Sequence, residues 1–252
     1  MPAVRLFIAL AIAGSVVIDA EAQAQPKRPF VENGFVSFNA AGVFGTPELS
    51  DRVQFEANAE AGTLDADYSA GAFAGVDAAA GLLVHRRIGV GLGISHANRS
   101  GSVSVRARVP HPFFDDRHRA VEGDANDIHR RETDVHAQIY YELPHRGPWR
   151  VRFFAGPSYV RVEQDLITGV ETQEAFPFDT AEFRRAATER AKGSGIGVNA
   201  GLDLSRMISR RAGLGAVVRY AGASVDLNAG DGRDVSTNTR GLTAGLGLRV
   251  AF

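Results

Sequence analysis

Residues 241–252 alternate with a period of two: Phe252, Val250, Leu248, Leu246, Ala244 and Leu242 share one parity, and Ala251, Arg249, Gly247, Gly245, Thr243 and Gly241 the other. Period two is the side-chain repeat of a β-strand, whose successive residues point to opposite faces. One face is wholly apolar and the other is small or charged. In a sandwich the apolar face meets a second sheet. In a membrane barrel it meets lipid, while the small and polar face lines the lumen and a terminal aromatic sits at the interface.

Seven earlier segments repeat the pattern. Their apolar parities include Val36, Phe38 and Phe44; Val76, Ala78, Leu82 and Val84; Ile88, Val90, Leu92 and Ile94; Val135, Ile139 and Tyr141; Trp149, Val151, Phe153 and Tyr159; Ile196, Val198, Leu202 and Leu204; and Leu214, Val218 and Tyr220. Val103, Val105, Ala107 and Val109 extend the third segment beyond any membrane. Short connections at His85-Arg86-Arg87, Pro144–Gly147 and Ser209-Arg210-Arg211 alternate with long ones at Gly45–Asp67, Pro110–Arg130, Gln164–Gly193 and Leu227–Thr239. The expected fold is all-β: an eight-stranded antiparallel up-and-down transmembrane β-barrel with long extracellular loops and short periplasmic turns. Parallel α/β architecture is excluded, because it needs a helix between strands.

Residues 1–24 read as a cleaved signal peptide, with Arg5, an apolar core from Leu6 to Ile18, and a small-x-small site at Ala20-Glu21-Ala22 or Ala22-Gln23-Ala24. About 13 apolar residues fall short of the roughly 20 that a helical span needs. Residues 25–33 form a short periplasmic lead and 34–252 the barrel. A formal charge of −1 gives no basic surface for nucleic acid. The absence of cysteine excludes disulfides and thiolate zinc sites.

Orientation follows from charge and aromatics. The short turns carry Arg86, Arg87, Arg146, Arg210 and Arg211, which suit anionic headgroups, whereas the first long connection carries Glu48, Asp51, Glu56, Glu60, Asp65 and Asp67 against Arg52 alone. Phe252, Trp149 and Tyr141 mark a girdle at the turn end, and Phe44, Tyr159 and Tyr220 one at the far end.

The inward parity places Asp77, Asp134, Glu142 and Asp203 with Arg152, Arg219 and Arg249 in the lumen, beside Asn39, His136, Gln138 and Asn199. Eight strands leave room for little besides side chains, and buried charges must pair. Hairpin geometry sets Glu142 beside or diagonal to Arg152, and Asp203 diagonal to Arg219. A plugged lumen is expected, rather than a narrow pore.

The signal peptide, the eight alternating segments and Phe252 together resemble the small outer-membrane barrels of the OmpA and OmpX type, from about Phe30 to Phe252. The resemblance implies a Gram-negative outer-membrane location and delivery by periplasmic chaperones to the outer-membrane assembly machinery. It implies an assembly signal at Gly247, Val250 and Phe252; Gly245 stands where a polar residue is usual. The peptidoglycan-binding domain of the full OmpA architecture is not expected.

In the third long connection, Asp179 and Glu182 form a capping box, predicting a short helix that would carry Arg184, Arg185, Arg190 and Lys192 towards lipopolysaccharide phosphates. His111, Asp115, Asp116, His118 and His129 in the second match no metal signature, so no metal, cofactor or catalytic residue is assigned. Ser95 faces inward and His96 towards lipid, so they make no obvious nucleophile and base. The expected protein is a non-enzymatic, porin-like monomer with a structural or surface-binding role. A lipid A-modifying barrel enzyme is the alternative; a soluble lipocalin-like barrel would need an apolar interior.

Overall fold

The computed structural model describes residues 33–45, 49–68, 71–144, 147–229 and 234–252. The signal peptide, most of the lead, Glu48 and Arg146 lie outside the described residues. Ten strands follow in chain order: β1 Gly34–Phe44, β2 Leu49–Ala57, β3 Glu60–Tyr68, β4 Phe73–His85, β5 Ile88–Pro110, β6 His118–Glu142, β7 Trp149–Glu174, β8 Ala181–Met207, β9 Ala212–Asn228 and β10 Asp234–Ala251.

Eight of them close into an antiparallel barrel in the order β5-β4-β1-β10-β9-β8-β7-β6, with β5–β6 pairing completing the ring. The expected eight-stranded meander is the observed one. The terminal strands zip together from Phe35↔Ala251 to Phe44↔Leu242. Closure removes the free edges that would otherwise strand backbone donors in lipid.

The long connections depart from expectation, because most of their length is strand. Gly45–Asp67 contains the β2–β3 hairpin, turning through Asn58 and Ala59 at φ of 53° and 60°, both positive as a two-residue type I′ turn requires. β4 pairs with β5 only up to Ala97, and β3 takes over from Val103 to Arg108. The acids hid this hairpin: Glu56, Asp65 and Asp67 point outward while Val53, Leu64, Ala66 and Tyr68 point in.

Pro110–Arg130 is likewise mostly β6, with a turn only at His111–Arg117. A bulge at Asn126 and Asp127, between the pairs Gly101↔Ile128 and Val103↔Ala125, switches the inward parity along β6 from odd residues to even ones. Within Leu227–Thr239, β9 runs to Asn228 and β10 begins at Asp234.

Gln164–Gly193 is a hairpin of β7 and β8 with a turn at 175–180. The helix expected from Asp179 and Glu182 is absent. Ala181–Lys192 is rich in helix formers, but pairing with β7 along its length outweighs that weak preference.

The barrel has two halves of opposite polarity. Beside the short turns, the proximal half exposes apolar side chains outward, such as Leu246 at 71% and Ile196 at 80%, and buries mostly polar ones around a small cluster of Phe35, Tyr140, Phe154 and Val217. In the distal half, Leu49, Val53, Leu64, Val105, Val162, Leu166, Ile167, Val225 and Leu227 form an apolar interior, while Arg52, Asp65, Arg106 and Arg185 stand outside. Exposed Phe44, Tyr159 and Tyr220 lie near the change-over, and Phe252, Trp149 and Tyr141 near the turns. Ten residues separate Trp149 from Tyr159, about 34 Å of strand, which a tilt of roughly 40° converts to about 26 Å of height.

Candidate functional site

Side chains joined by hydrogen bonds and ion pairs cross the proximal lumen, the turn-end pair meeting the rest through Arg152 Nη1, 4.0 Å from Asp203 Oδ1. At the turn end, Arg152 Nε donates to Glu142 Oε2 at 2.7 Å, its guanidinium lying 4.1 Å over the Phe35 ring. Arg249 grips Asp203 through Nε at 2.8 Å and Nη2 at 2.5 Å, and donates through Nη1 to Asn39 Oδ1 at 2.7 Å. Asn39 Nδ2 donates to Asp77 Oδ1 at 2.9 Å, and Arg219 Nη1 reaches Asp77 Oδ2 at 2.5 Å and Ser95 Oγ at 2.7 Å. His136 then links Ser95 to Ser158, which accepts from Asn199 Nδ2, and Asn199 Oδ1 accepts from Gln138. Three carboxylates meet three guanidiniums, so the charge of these six groups balances.

Two placements differ from the sequence expectation. Asp203 pairs with Arg249, not with Arg219. Cross-strand reasoning considered adjacent strands only, whereas Arg249 reaches over Gly215, where a Cβ would sit 2.9 Å from Nε. Asp134 faces inward but stands apart from the chain; with Ser95, Glu132, Thr239 and Thr243 it lines a cavity of about 30 Å³. Above it, Arg130 bonds Glu132 at 2.6 Å and Gln164 at 2.5 Å. Arg130 and Gln164 lay in segments read as loops, and Glu132 just before a segment read as a strand, so all three were missed; carrying the period-two count further along β6 and β7 would have found them.

Ser95 and His136 make a serine–histidine contact of 3.1 Å that the sequence did not pair. The hydrogen-bond arrangement decides its chemistry. Ser95 Oγ lies 3.0 Å from Asp77 Oδ2, an acceptor, so its only proton goes there. His136 Nε2 must then donate to Ser95, and Nδ1 accepts from Ser158, a tautomer assigned from the network. A histidine holding a proton on Nε2 cannot take one from Ser95. His96 is outside, 2.9 Å from Thr133.

The distal tip joins two hairpin turns that look unrelated in sequence. Buried Arg119 donates to Pro110 O, Phe178 O and Glu174 Oε1 at 2.9, 3.1 and 2.8 Å. Phe113 packs on Phe178 at 5.4 Å, and Phe176, 87% exposed, packs on Phe178 at 6.1 Å. The hydrogen bond from Arg119 is the main cause holding the Glu174 carboxyl below the ordinary glutamate range. A depressed carboxylate stabilises above its unfolded value of about 4.3, and that contribution is lost as pH falls through the lower folded value. Carbon-13 titration of Glu174 should therefore give a midpoint below about 4.3; a midpoint at or above it would contradict the tie.

The basic residues expected on a helix sit on β8. Arg185 makes paired bonds to Glu171, Arg190 lies 3.0 Å from Asp165 and Lys192 4.0 Å from Glu163; Arg184 is exposed at a register shift. At the closing strand Val250 and Phe252 face outward. A Cβ on Gly247 would overlap the Phe38 carbonyl, so β1–β10 pairing itself requires glycine there.

A closed ladder, an apolar outer band, paired aromatic girdles and a polar plugged lumen define the small transmembrane β-barrel of the outer-membrane type. No protein-family model and no curated protein matches the chain. Among solved structures, Neisserial surface protein A matches over 87% of this chain and 97% of its own at 14% identity and a TM-score of 0.44. OprG from Pseudomonas aeruginosa matches over 88% and 96% at 11% identity and 0.46. The outer membrane protease OmpT from Escherichia coli matches over 87% and 96% at 11% identity and 0.42. A surface protein and a protease stand among them, so the likeness specifies no activity.

Proposed function

We propose that this chain is an exported, non-enzymatic barrel of the bacterial outer membrane that carries a binding surface outward from the cell. The carrying observation is closure along the whole length: the Glu142-to-Gln138 network fills the proximal lumen and the Leu64, Val162, Leu166 and Leu227 core fills the distal half. A barrel closed twice over is built for presentation rather than passage. The distal half is extracellular in this reading, and the Phe113, Phe176 and Phe178 cluster is its leading surface. The Ser95–His136 proton arrangement favours a structural role over lipid modification, and the outward apolar band opposes a lipocalin-like barrel.

In planar bilayers the purified chain should give no stepwise conductance; sustained unitary steps overturn the closed-lumen reading. Cells displaying the chain should adhere to epithelial monolayers more than cells lacking it, and F113S/F176S should remove that difference. Equal adherence with and without the chain would sink the binding role.

A further inference from the structure

On the outer face of β6, β7 and β8, three cations surround one carboxylate. Arg131, Glu163 and Lys192 are opposite one another across the two ladders, and Arg161 lies two residues below Glu163 on β7. The three cationic side chains are 56%, 57% and 58% exposed, whereas Glu163 is 19% exposed beneath them. Their distances to it are 3.8, 3.4 and 4.0 Å. Elsewhere on this surface, Arg52–Asp65 and Arg185–Glu171 close to 2.6 and 2.5 Å. Glu163 therefore holds the cluster together without saturating it, and most of the N–H donors stay open to solvent.

Depth selects what those donors meet. Tyr159 belongs to the upper girdle, flanked by exposed Val135 and Ile196. Arg161 and the Glu163 row stand two and four residues beyond it, about 5 and 10 Å higher once strand tilt is allowed for. Lipid headgroups begin there. Tyr159, Arg161, Lys192, Ser194 and Asp226 line a surface groove of about 470 Å³ that runs from the girdle to the cations. Asp226 and Glu163 set two negative charges against three positive, leaving a net positive site. Higher up, Arg190 and His129 lie 3.0 and 3.4 Å from Asp165.

We infer that the outer face of β6–β8 binds the phosphate of an outer-leaflet phosphoglycolipid, with its acyl chains lying along Tyr159, Val135 and Ile196. The inference rests on the outer-membrane reading above. It keeps Lys192 from the basic set seen in the sequence, replaces Arg184 and Arg185 with Arg131 and Arg161, and puts Arg190 above the phosphate rather than on it. Apolar side chains directly below the cations favour a lipid-borne phosphate over a free one.

Native mass spectrometry of the detergent-solubilised full barrel tests this with three probes: bis-phosphorylated lipid A, the same lipid dephosphorylated, and inorganic phosphate. Bis-phosphorylated lipid A should bind most tightly, and R131Q/R161Q/K192Q should weaken it at least about tenfold, at the usual strength of basic residues near anionic headgroups. R184Q/R185Q should bind as the parent does. Equal binding of dephosphorylated lipid A, or unchanged binding by the triple variant, overturns the site; inorganic phosphate binding as tightly as the lipid overturns the lipid assignment. Heat-dependent gel mobility of each variant reports the barrel separately, so loss of the barrel is not mistaken for loss of the site. If the triple variant fails to fold, K192Q and R161Q singly should each weaken binding by about fivefold, and two unchanged singles overturn the proposal.

Discussion

Replacing Arg249 with alanine should destabilise the barrel by about 3–5 kcal/mol, because removing one partner leaves a buried carboxylate uncompensated. Arg249 is 1% exposed, makes both close contacts to Asp203 and occupies Asn39 Oδ1. Truncation disconnects the network at the point where the turn-end pairs join the Asp77–Arg219 centre. The cost belongs mostly to the orphaned charge, so R249M/D203L, which replaces the ion pair with apolar groups, should recover most of it. Urea unfolding in lipid vesicles, followed by gel mobility, measures both. A loss in R249A of less than about 1 kcal/mol, the scale of an exposed pair, would show that the network is not the plug described here.

Deleting Leu49–Tyr68 and bridging the ends with a short Gly-Ser linker should separate the two halves of the molecule. The hairpin contributes Leu49, Val53, Leu64, Ala66 and Tyr68 to the distal core and pairs with the upper part of β5. At about 1.5–3 kcal/mol per large apolar side chain, its packing amounts to several kcal/mol. Tyr68 also accepts a hydrogen bond from the Ile167 amide across the interior at 2.8 Å, so deletion leaves that buried donor unpaired. The proximal ladders contain no hairpin residue. The deleted chain should keep its heat-dependent gel shift while trypsin cleaves at Arg106, Arg108 and Arg119 at least about tenfold faster, as a locally opened segment does. Unchanged protection at those arginines would mean that the distal half stands without the hairpin.

The proximal half was legible because lipid keeps the outward parity apolar, even where Phe35, Tyr140, Phe154 and Val217 put rings and an aliphatic group inward as well. Every residue from Leu242 to Phe252 obeys one parity, and the inward set named Asp77, Arg152, Arg219 and Arg249 before any contact was visible. The distal half was not legible, for three physical reasons. Its outward charges at Glu56, Asp65 and Asp67 give a strand the composition of a loop. Bulges at Asn126–Asp127 and near Thr168 and Arg184 shift the count, so an unbroken period of two runs out just where the strands continue. Ala181–Lys192 carries helical preference that only its long-range partner overrides. Partner choice in the lumen was lost for a related reason: the reach of Arg249 depends on the space above Gly215, which no spacing rule records.

The reversal of polarity at the level of Tyr159, Tyr220 and Phe44 also acts as a depth gauge. Sinking the barrel by two residue pairs would drag Arg161 into hydrocarbon, and raising it by the same step would wet the outward apolar side chains below the girdle. Both displacements are uphill, so the vertical seat of the protein is written into its own wall. The tip aromatics are then held at one fixed height above the bilayer by the wall itself.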